Sequence, residues 1–434
     1  MADTTADRDM AAETAMPGPP DPPERPQVAR LTPMEWVREN LFSTWYDTLM
    51  TVVFGAGLVF AIYRGLRFLF VTGRWEIIDR NMTNLMVWLW PNRPDLLRPW
   101  VALFLMVAAV GLLAGRAVRV AATVAEEAGE PIEELSWREN ALRVLGRFWP
   151  FVMLLVFIGW YSGSPETWLM ELLVVVDLLA FRALALRLPK AVADRTGLIA
   201  GLLFLAAFGT LTWFGGHGWD DWGGLMLTIF LAAGGIILSF PLGVGLALGR
   251  RSSFPIVRTI CVTYIELIRG VPLITLLFMA SIMLGFFLPS DFNSPAGVTR
   301  ALVAIILFTA AYVAEIVRGG LQSVPQGQIE AAQAVGLSPL KQTRLIVLPQ
   351  ALRNVIPALV GQFISLLKDT SLVAIIGQFE ILGVARRITN QGDFAGQGLL
   401  AETLFFAALV YWVLAYTMSR ESQRLEKRLG VGER

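Results

Sequence analysis

The sequence predicts an all-α integral membrane protein with about ten transmembrane helices, and three observations carry that expectation. Of 434 residues, 55% are apolar and 16% charged, whereas soluble domains run near 25% charged. Uncharged stretches recur that are long enough to cross a hydrocarbon core of roughly 30 Å. Lys and Arg cluster in alternate loops between those stretches, as the positive-inside rule requires. The net charge of +1 gives no nucleic-acid footprint. A lone cysteine, Cys261, and a lone histidine, His217, exclude an internal disulfide, a cysteine cluster and a multi-histidine site, so no metal site is expected.

In chain order, residues 1–47 read as a cytoplasmic tail, disordered in its proline-rich beginning (Pro17, Pro19, Pro20, Pro22, Pro23, Pro26) and without the apolar core of a signal peptide. An N-terminal membrane region, 48–215, holds candidate spans near 49–71, 98–115, 148–163, 167–187 and 197–214. A second region, 222–420, holds spans near 222–248, 270–288, 300–317, 354–376 and 400–418, and 421–434 is a short tail. Ten spans put both termini on one side. Arg116, Arg119, Arg138, Arg143, Arg147, Arg187, Lys190, Arg195, Arg250, Arg251, Arg258, Arg420 and Arg424 then fall in inner loops, so both termini are expected in the cytoplasm. Arg74, Arg80, Arg93, Arg98, Arg386 and Arg387 dissent, on outer loops. The Gly-rich junction 215–224 carries Trp219 and Trp222, which suit a headgroup-level belt, and His217 reads as an exposed loop residue. The acidic run with Glu126, Glu127, Glu130, Glu133, Glu134 and Glu139 reads as a solvated cytoplasmic segment. Gly111 and Gly115, and Gly243, Gly245 and Gly249, are expected to let helices pack closely.

Between spans eight and nine, residues 319–354 are too polar to span and too patterned to be a linker. Pro325 starts a helix through Glu330, Ala331 and Ala332, Gly336 allows a positive-φ stop, and Ser338 with Pro339 reads as N-cap and N1 of a second helix that continues past Lys341 and Arg344 to Pro349. Ala331 and Ala332 let a partner surface approach, and Glu330 offers a charge. The run of Glu330, Ala331, Ala332, Gly336, Ile346, Leu348 and Pro349 resembles the EAA loop of ATP-binding-cassette (ABC) importer permeases. The stretches 264–272 (YIELIRGVP), 311–320 (AYVAEIVRGG) and 365–372 (SLLKDTSL) are similar to the polar and glutamate-type amino-acid branch of that family. The extra N-terminal spans are similar to the extended subunits of alphaproteobacterial general L-amino-acid or glutamate, glutamine, aspartate and asparagine importers.

This resemblance implies a type I importer permease core with a cytoplasmic coupling helix, in the bacterial inner membrane. It implies a transport subunit and not an enzyme, paired with a homologous second permease, two ATP-binding subunits and a periplasmic amino-acid-binding protein. Coupling would run through Glu330, Ala331, Ala332, Gly336 and Ser338. The chain has no GxxxxGK[ST] phosphate loop, and 243–252 lacks the lysine and the spacing. No cofactor is therefore expected in this chain; ATP and Mg would sit in the partner ATPase.

Lys368 and Asp369 fall within span nine, where ionisable groups are costly. With Thr370 and Ser371 they offer an acceptor for a substrate ammonium and donors for its carboxylate, and a structural Lys–Asp pair accounts for them equally well. Glu266, Arg269, Glu315 and Arg318 lie near cytoplasmic span ends, as ion pairs that gate or brace the inner mouth or as snorkelling charges. Gly270 and Pro272 split 256–288 into an interfacial helix and a span. A membrane enzyme would need a catalytic constellation at one depth, and none is visible. An ion-coupled secondary carrier would show related halves, and the two five-span halves share no motif.

Overall fold

The computed structural model describes residues 32–88, 97–127, 137–162, 165–212, 222–287, 297–428 and 430. The proline-rich start, Arg93, Glu130, Glu133, Glu134, His217 and Trp219 lie outside them. No strand occurs among the described residues. The chain divides into two compact units, one ending at Gly73 and one running from Arg74.

Among its described residues the first unit has two α-helices. Thr32 and Glu35 form a capping box at the start of α1, Pro33–Leu41. Thr44 caps α2, Trp45–Arg67, which relaxes into a π turn, Phe68–Thr72. Apolar side chains along α2, among them Val52, Phe54, Leu58, Val59 and Phe60, are exposed, the surface a lipid-facing span presents.

The second unit begins where a loop was expected. Residues 72–98 were read as an outer connection, yet 74–88 forms α3, Glu76–Arg80, and α4, Met82–Val87. Trp75, Ile77, Ile78, Leu85 and Val87 are buried there. Next come α5, Leu97–Glu127; α6, Trp137–Arg147; α7, Trp149–Ser162; α8, Pro165–Arg187; α9, Lys190–Ala193; and α10, Thr196–Thr212. Gly111 and Gly115 of α5 pack against α8: a Cβ on Gly115 would sit 2.5 Å from the Ala185 Cβ, so glycine permits that approach.

The remaining helices are α11, Gly224–Arg250; α12, Pro255–Arg269; α13, Leu273–Met283; α14, Gly297–Gln322; α15, Gln326–Ala334; α16, Pro339–Gln342; α17, Leu348–Asp369; α18, Ile381–Arg387; and α19, Leu400–Arg428. Helices α11 and α14 form the central pair. A Cβ on Gly243 would stand 2.6 Å from Val313 Cγ1. Gly245 faces open space, which corrects the expectation that it packs, because it lies on the opposite side of α11. Gly320 closes the α14–α17 contact, where a Cβ would meet the Ala351 carbonyl oxygen at 2.6 Å.

Each of the ten expected spans falls on a helix, but ten is not the number that length and composition support. Among the described residues six helices are long and apolar enough to cross a membrane, or up to eight if each bent pair is one span. Helix α8 carries Glu166, Glu171, Asp177 and Arg182, and α10 has 17 residues, which is short for a crossing. The expected break at Gly270 and Pro272 is present as a 106° bend between α12 and the following helix. Trp222, expected at a headgroup belt, is instead packed inside the protein, edge-on to Phe230 at 4.8 Å, where Gly224 (φ +59°) turns the chain. The tail expected from 421 is helical to Arg428, with Glu421 bonded to Arg147 and Arg424.

Candidate functional site

The polar segment between α14 and α17 is a helix and a tight stop. Pro325 is the N-cap of α15 (φ −59°, ψ 138°). The helix ends in a Schellman motif, with Leu337 N–H donating to the Ala332 carbonyl at 3.1 Å and Gly336 N–H to that of Gln333 at 2.9 Å. Gly336 has φ +77°, a left-handed conformation that costs a residue with a Cβ about 1–2 kcal/mol. Gln342 Nε2 donates to the Ile329 carbonyl at 3.1 Å and ties α16 back to α15.

Glu330, Ala331, Gly336 and Ser338 are exposed, whereas Ala332, one residue on, is buried. Neighbours on a helix point about 100° apart. Ala332 therefore faces its own protein and only Ala331 is open to a partner. Ser338 occupies the N-cap position without a side-chain cap bond. The second helix was expected to end at Pro349; instead the chain passes from α16 through a π turn, Thr343–Val347, into α17. Leu348 N–H bonds the Thr343 carbonyl, and Pro349, which has no N–H, enters at the first turn of α17, where none is required. Val335, Leu340 and Leu345 are exposed by 75%, 78% and 59%, an apolar patch on the polar loop that sequence reading passed over.

At the same end, the four expected gate residues converge around a fifth, Arg250. Arg250 Nη1 lies 3.0 Å from Glu266 Oε1 and 3.4 Å from Glu315 Oε2. Arg269 Nη1 is 3.7 Å from Glu315 Oε2 and its guanidinium stands over Tyr312 at 5.6 Å. Arg318 Nε is 3.0 Å from both Glu315 oxygens, and its Nη1 reaches Gln322 at 2.8 Å. One carboxylate thus receives three guanidinium groups. These side chains are only partly covered, at 25–54% exposure, so each contact is weak and replaceable.

The four residues 368–371 do not converge. Lys368 is exposed, Asp369 and Ser371 are half-buried, and Thr370 is fully buried. Among the described residues Lys368 and Asp369 form no ion pair. The α-helix gives way to a 3₁₀ segment, Thr370–Ile376, which turns these consecutive side chains to different sides.

Thr370 belongs to a buried network at the far end of the core that sequence reading missed. Its hydroxyl lies 3.2 Å from the Tyr411 hydroxyl, and Tyr411 donates to Glu380 Oε2 at 2.8 Å. Glu380, with no exposed surface, caps α18 by accepting from Leu382 N–H at 2.8 Å and Gly383 N–H at 2.7 Å. Thr228 accepts from Ile381 N–H at 3.2 Å, and Gly224 N–H donates to the Phe379 carbonyl at 2.8 Å. Burial pushes the Glu380 carboxyl above its ordinary value, against the lowering effect of the Leu382, Tyr411 and Gly383 bonds and the Arg386 charge. The available signal was a glutamate followed by a short apolar run and a glycine.

Two expected outer loops meet there. Arg74 donates to Gln397 Oε1 at 2.9 Å and to its carbonyl at 2.7 Å, and its N–H bonds Glu402 at 3.1 Å. The guanidinium of Arg387 stacks on Phe379 at 4.5 Å and faces Trp88 at 6.0 Å. Trp88 itself sits at φ +59°.

Comparison with known proteins fits this arrangement. Residues 239–431 match the family of binding-protein-dependent transport system inner membrane components. The chain is 38% identical over 402 residues to the inner membrane amino-acid ABC transporter permease protein YhdY of Escherichia coli K12, covering 92% of this chain and 94% of that one. It is 45% identical to the glutamate/glutamine/aspartate/asparagine transport system permease protein BztC of Rhodobacter capsulatus, over 48% of each chain. A solved amino acid ABC transporter with histidines is 32% identical, with TM-score 0.42, over 47% of this chain and 92% of its own. The chain belongs to the family of amino-acid ABC transporter permeases.

Proposed function

We propose that this permease carries amino acids inward in an ATP-driven, binding-protein-dependent importer, taking glutamate, glutamine, aspartate and asparagine or a wider set of L-amino acids. The relatives' transport functions support the substrate class. The observation that carries the mechanism is the rigidly capped α15 with Glu330, Ala331 and Gly336 facing outward beside the apolar Val335, Leu340 and Leu345. Exposed apolar side chains interspersed with polar ones are suited to docking on another subunit.

In this reading a separate ATPase binds ATP and Mg, two copies serve a pair of permeases, and the second permease is a homologue of this chain. A periplasmic amino-acid-binding protein delivers substrate. Both termini and the 323–347 segment lie in the cytoplasm, with 48–215 as an added membrane region and 222–420 as the transport core. The Arg250, Glu266, Arg269, Glu315 and Arg318 cluster then closes the inner mouth, and its many alternative pairings let it open without stranding a charge. Asp369, with Lys368, Thr370 and Ser371, contributes to the substrate path.

Reconstituted complexes test the coupling. Gly336→Asp should leave the subunit in the membrane and assembled with its partners while abolishing uptake; normal uptake by that variant removes the coupling assignment. Uptake of a panel of labelled amino acids by cells with and without this chain tests the substrate class.

A further inference from the structure

A cavity of about 570 Å³ opens at the loop end of the core, lined by Arg250, Arg251, Arg258 and Arg318 with Thr259, Thr263, Val262 and Gln322. No carboxylate lines it. Two of its arginines are committed: Arg250 pairs with Glu266 and Glu315, and Arg318 with Glu315. The other two are not. Arg251 donates only to the Leu321 carbonyl, at 3.3 Å, and Arg258 has no hydrogen-bond or ion-pair partner among the described residues. The two uncommitted guanidinium groups, with two hydroxyls and an amide, make a site for a phosphate group, with arginine supplying forked donors to its oxygens, and Arg250 and Arg318 add donors behind them while paired with Glu266 and Glu315.

Helix α12 shows where such a phosphate comes from, because it has three distinct faces. Ile265 and Ile268 are buried against the core, and Cys261 packs on Gly249. Arg258, Thr259, Val262 and Thr263 follow at helical spacing and face the cavity. Ile256, Ile260 and Leu267 form the third face and are exposed by 75%, 63% and 61%. Arginine donors beside an uncovered isoleucine and leucine stripe, on a helix bent 106° from the apolar helix that follows it, fit a molecule with a phosphate at one end and acyl chains at the other.

We propose that this cavity binds the phosphate of an anionic phospholipid, held by Arg251 and Arg258 with Arg250 and Arg318 behind them. The assignment to the inner leaflet rests on the orientation given above; the site itself does not. A lipid phosphate bound there touches Arg250 and Arg318, two members of the ionic cluster, and so couples lipid composition to the charge balance at that mouth.

The full chain in nanodiscs of phosphatidylcholine with phosphatidylglycerol, first without and then with its ATPase, supplies the test, read by native mass spectrometry of retained lipid. Wild type and the charge-keeping Arg251→Lys/Arg258→Lys pair should retain phosphatidylglycerol, and Arg251→Gln/Arg258→Gln should retain roughly tenfold less. Arg258→Gln alone removes no bond of the fold and should already weaken retention. Equal retention by the glutamine variants overturns the proposal. Displacement by millimolar inorganic phosphate or ATP would assign the cavity to a soluble phosphate, and loss of lipid on adding the ATPase would assign it to a protein partner; either result overturns it. Gly336→Asp should lose uptake yet keep the lipid, so failure of the coupling reading and failure of the lipid site are separately visible.

Discussion

The two ends of the core treat charge in opposite ways. At the loop end, three arginines and two glutamates share partly exposed contacts, with Glu315 serving Arg250, Arg269 and Arg318 at once. At the far end, one carboxylate, that of Glu380, has no exposed surface and accepts three hydrogen bonds from fixed donors. A wet, redundant cluster can exchange partners at small cost, whereas a dry, saturated group cannot lose one without a large penalty. The difference separates a part built to rearrange from a part built to hold its shape.

The hardest test of that contrast is Glu380→Ala. It removes the cap of α18, leaving two N–H groups without their acceptor and the Tyr411 hydroxyl with only Thr370, 3.2 Å away, a loss of roughly 3 kcal/mol. Denaturation in detergent measures it, and a loss under about 1 kcal/mol would end the idea of a rigid far end. Gly336→Ala should cost about 1 kcal/mol because of its positive φ, confined to the loop. Faster amide exchange at Val335, Gly336 and Leu337 without a shift in global unfolding is the expected signature.

Glu315→Gln should change stability by less than about 1 kcal/mol, with the change shrinking as salt rises. A larger cost would mean that the cluster is structural. The smallest effect is a pH slope. Because burial holds the folded Glu380 carboxyl above its ordinary value of 4.5, its contribution is complete below that value and is lost as pH rises through the folded one. Subtracting the Glu380→Gln curve from the wild-type curve should isolate this decline, and a flat difference would show that the three hydrogen bonds balance the burial.

Much of the loop end was legible in the sequence, because its signals are local. Pro325, Gly336 and Ser338 with Pro339 mark helix starts and stops by backbone chemistry alone. Glu266, Arg269, Glu315 and Arg318 stand out as charges bordering apolar runs. The far end was not legible, because it is assembled from 75–88, 224–228, 370–380 and 411, positions that no sequence window joins. Trp222 shows the same limit: an aromatic residue beside glycines has the composition of an interfacial anchor, and tertiary packing alone makes it a core residue. Length and composition do not pick out α8 as a span because it has the length of a crossing but carries Glu166, Glu171, Asp177 and Arg182, and ionisable residues are rare in spans.

The burial of 75–87 has a consequence for how the protein is made. Arg74 is held by Glu402, 328 residues later in the chain. At about 5–20 residues per second, translation takes roughly 15–65 s to supply that partner. Native cover arrives in two stages: Phe157, edge-on to Trp75 at 5.6 Å, and the Gly223–Gly224 turn beside Leu85 come before the last helix, whereas Glu402 and Phe405, the second ring edge-on to Trp75 at 5.6 Å, come with it. Insertion of this permease therefore includes a waiting period in which the segment is only partly covered, until the last helix arrives to close the far end.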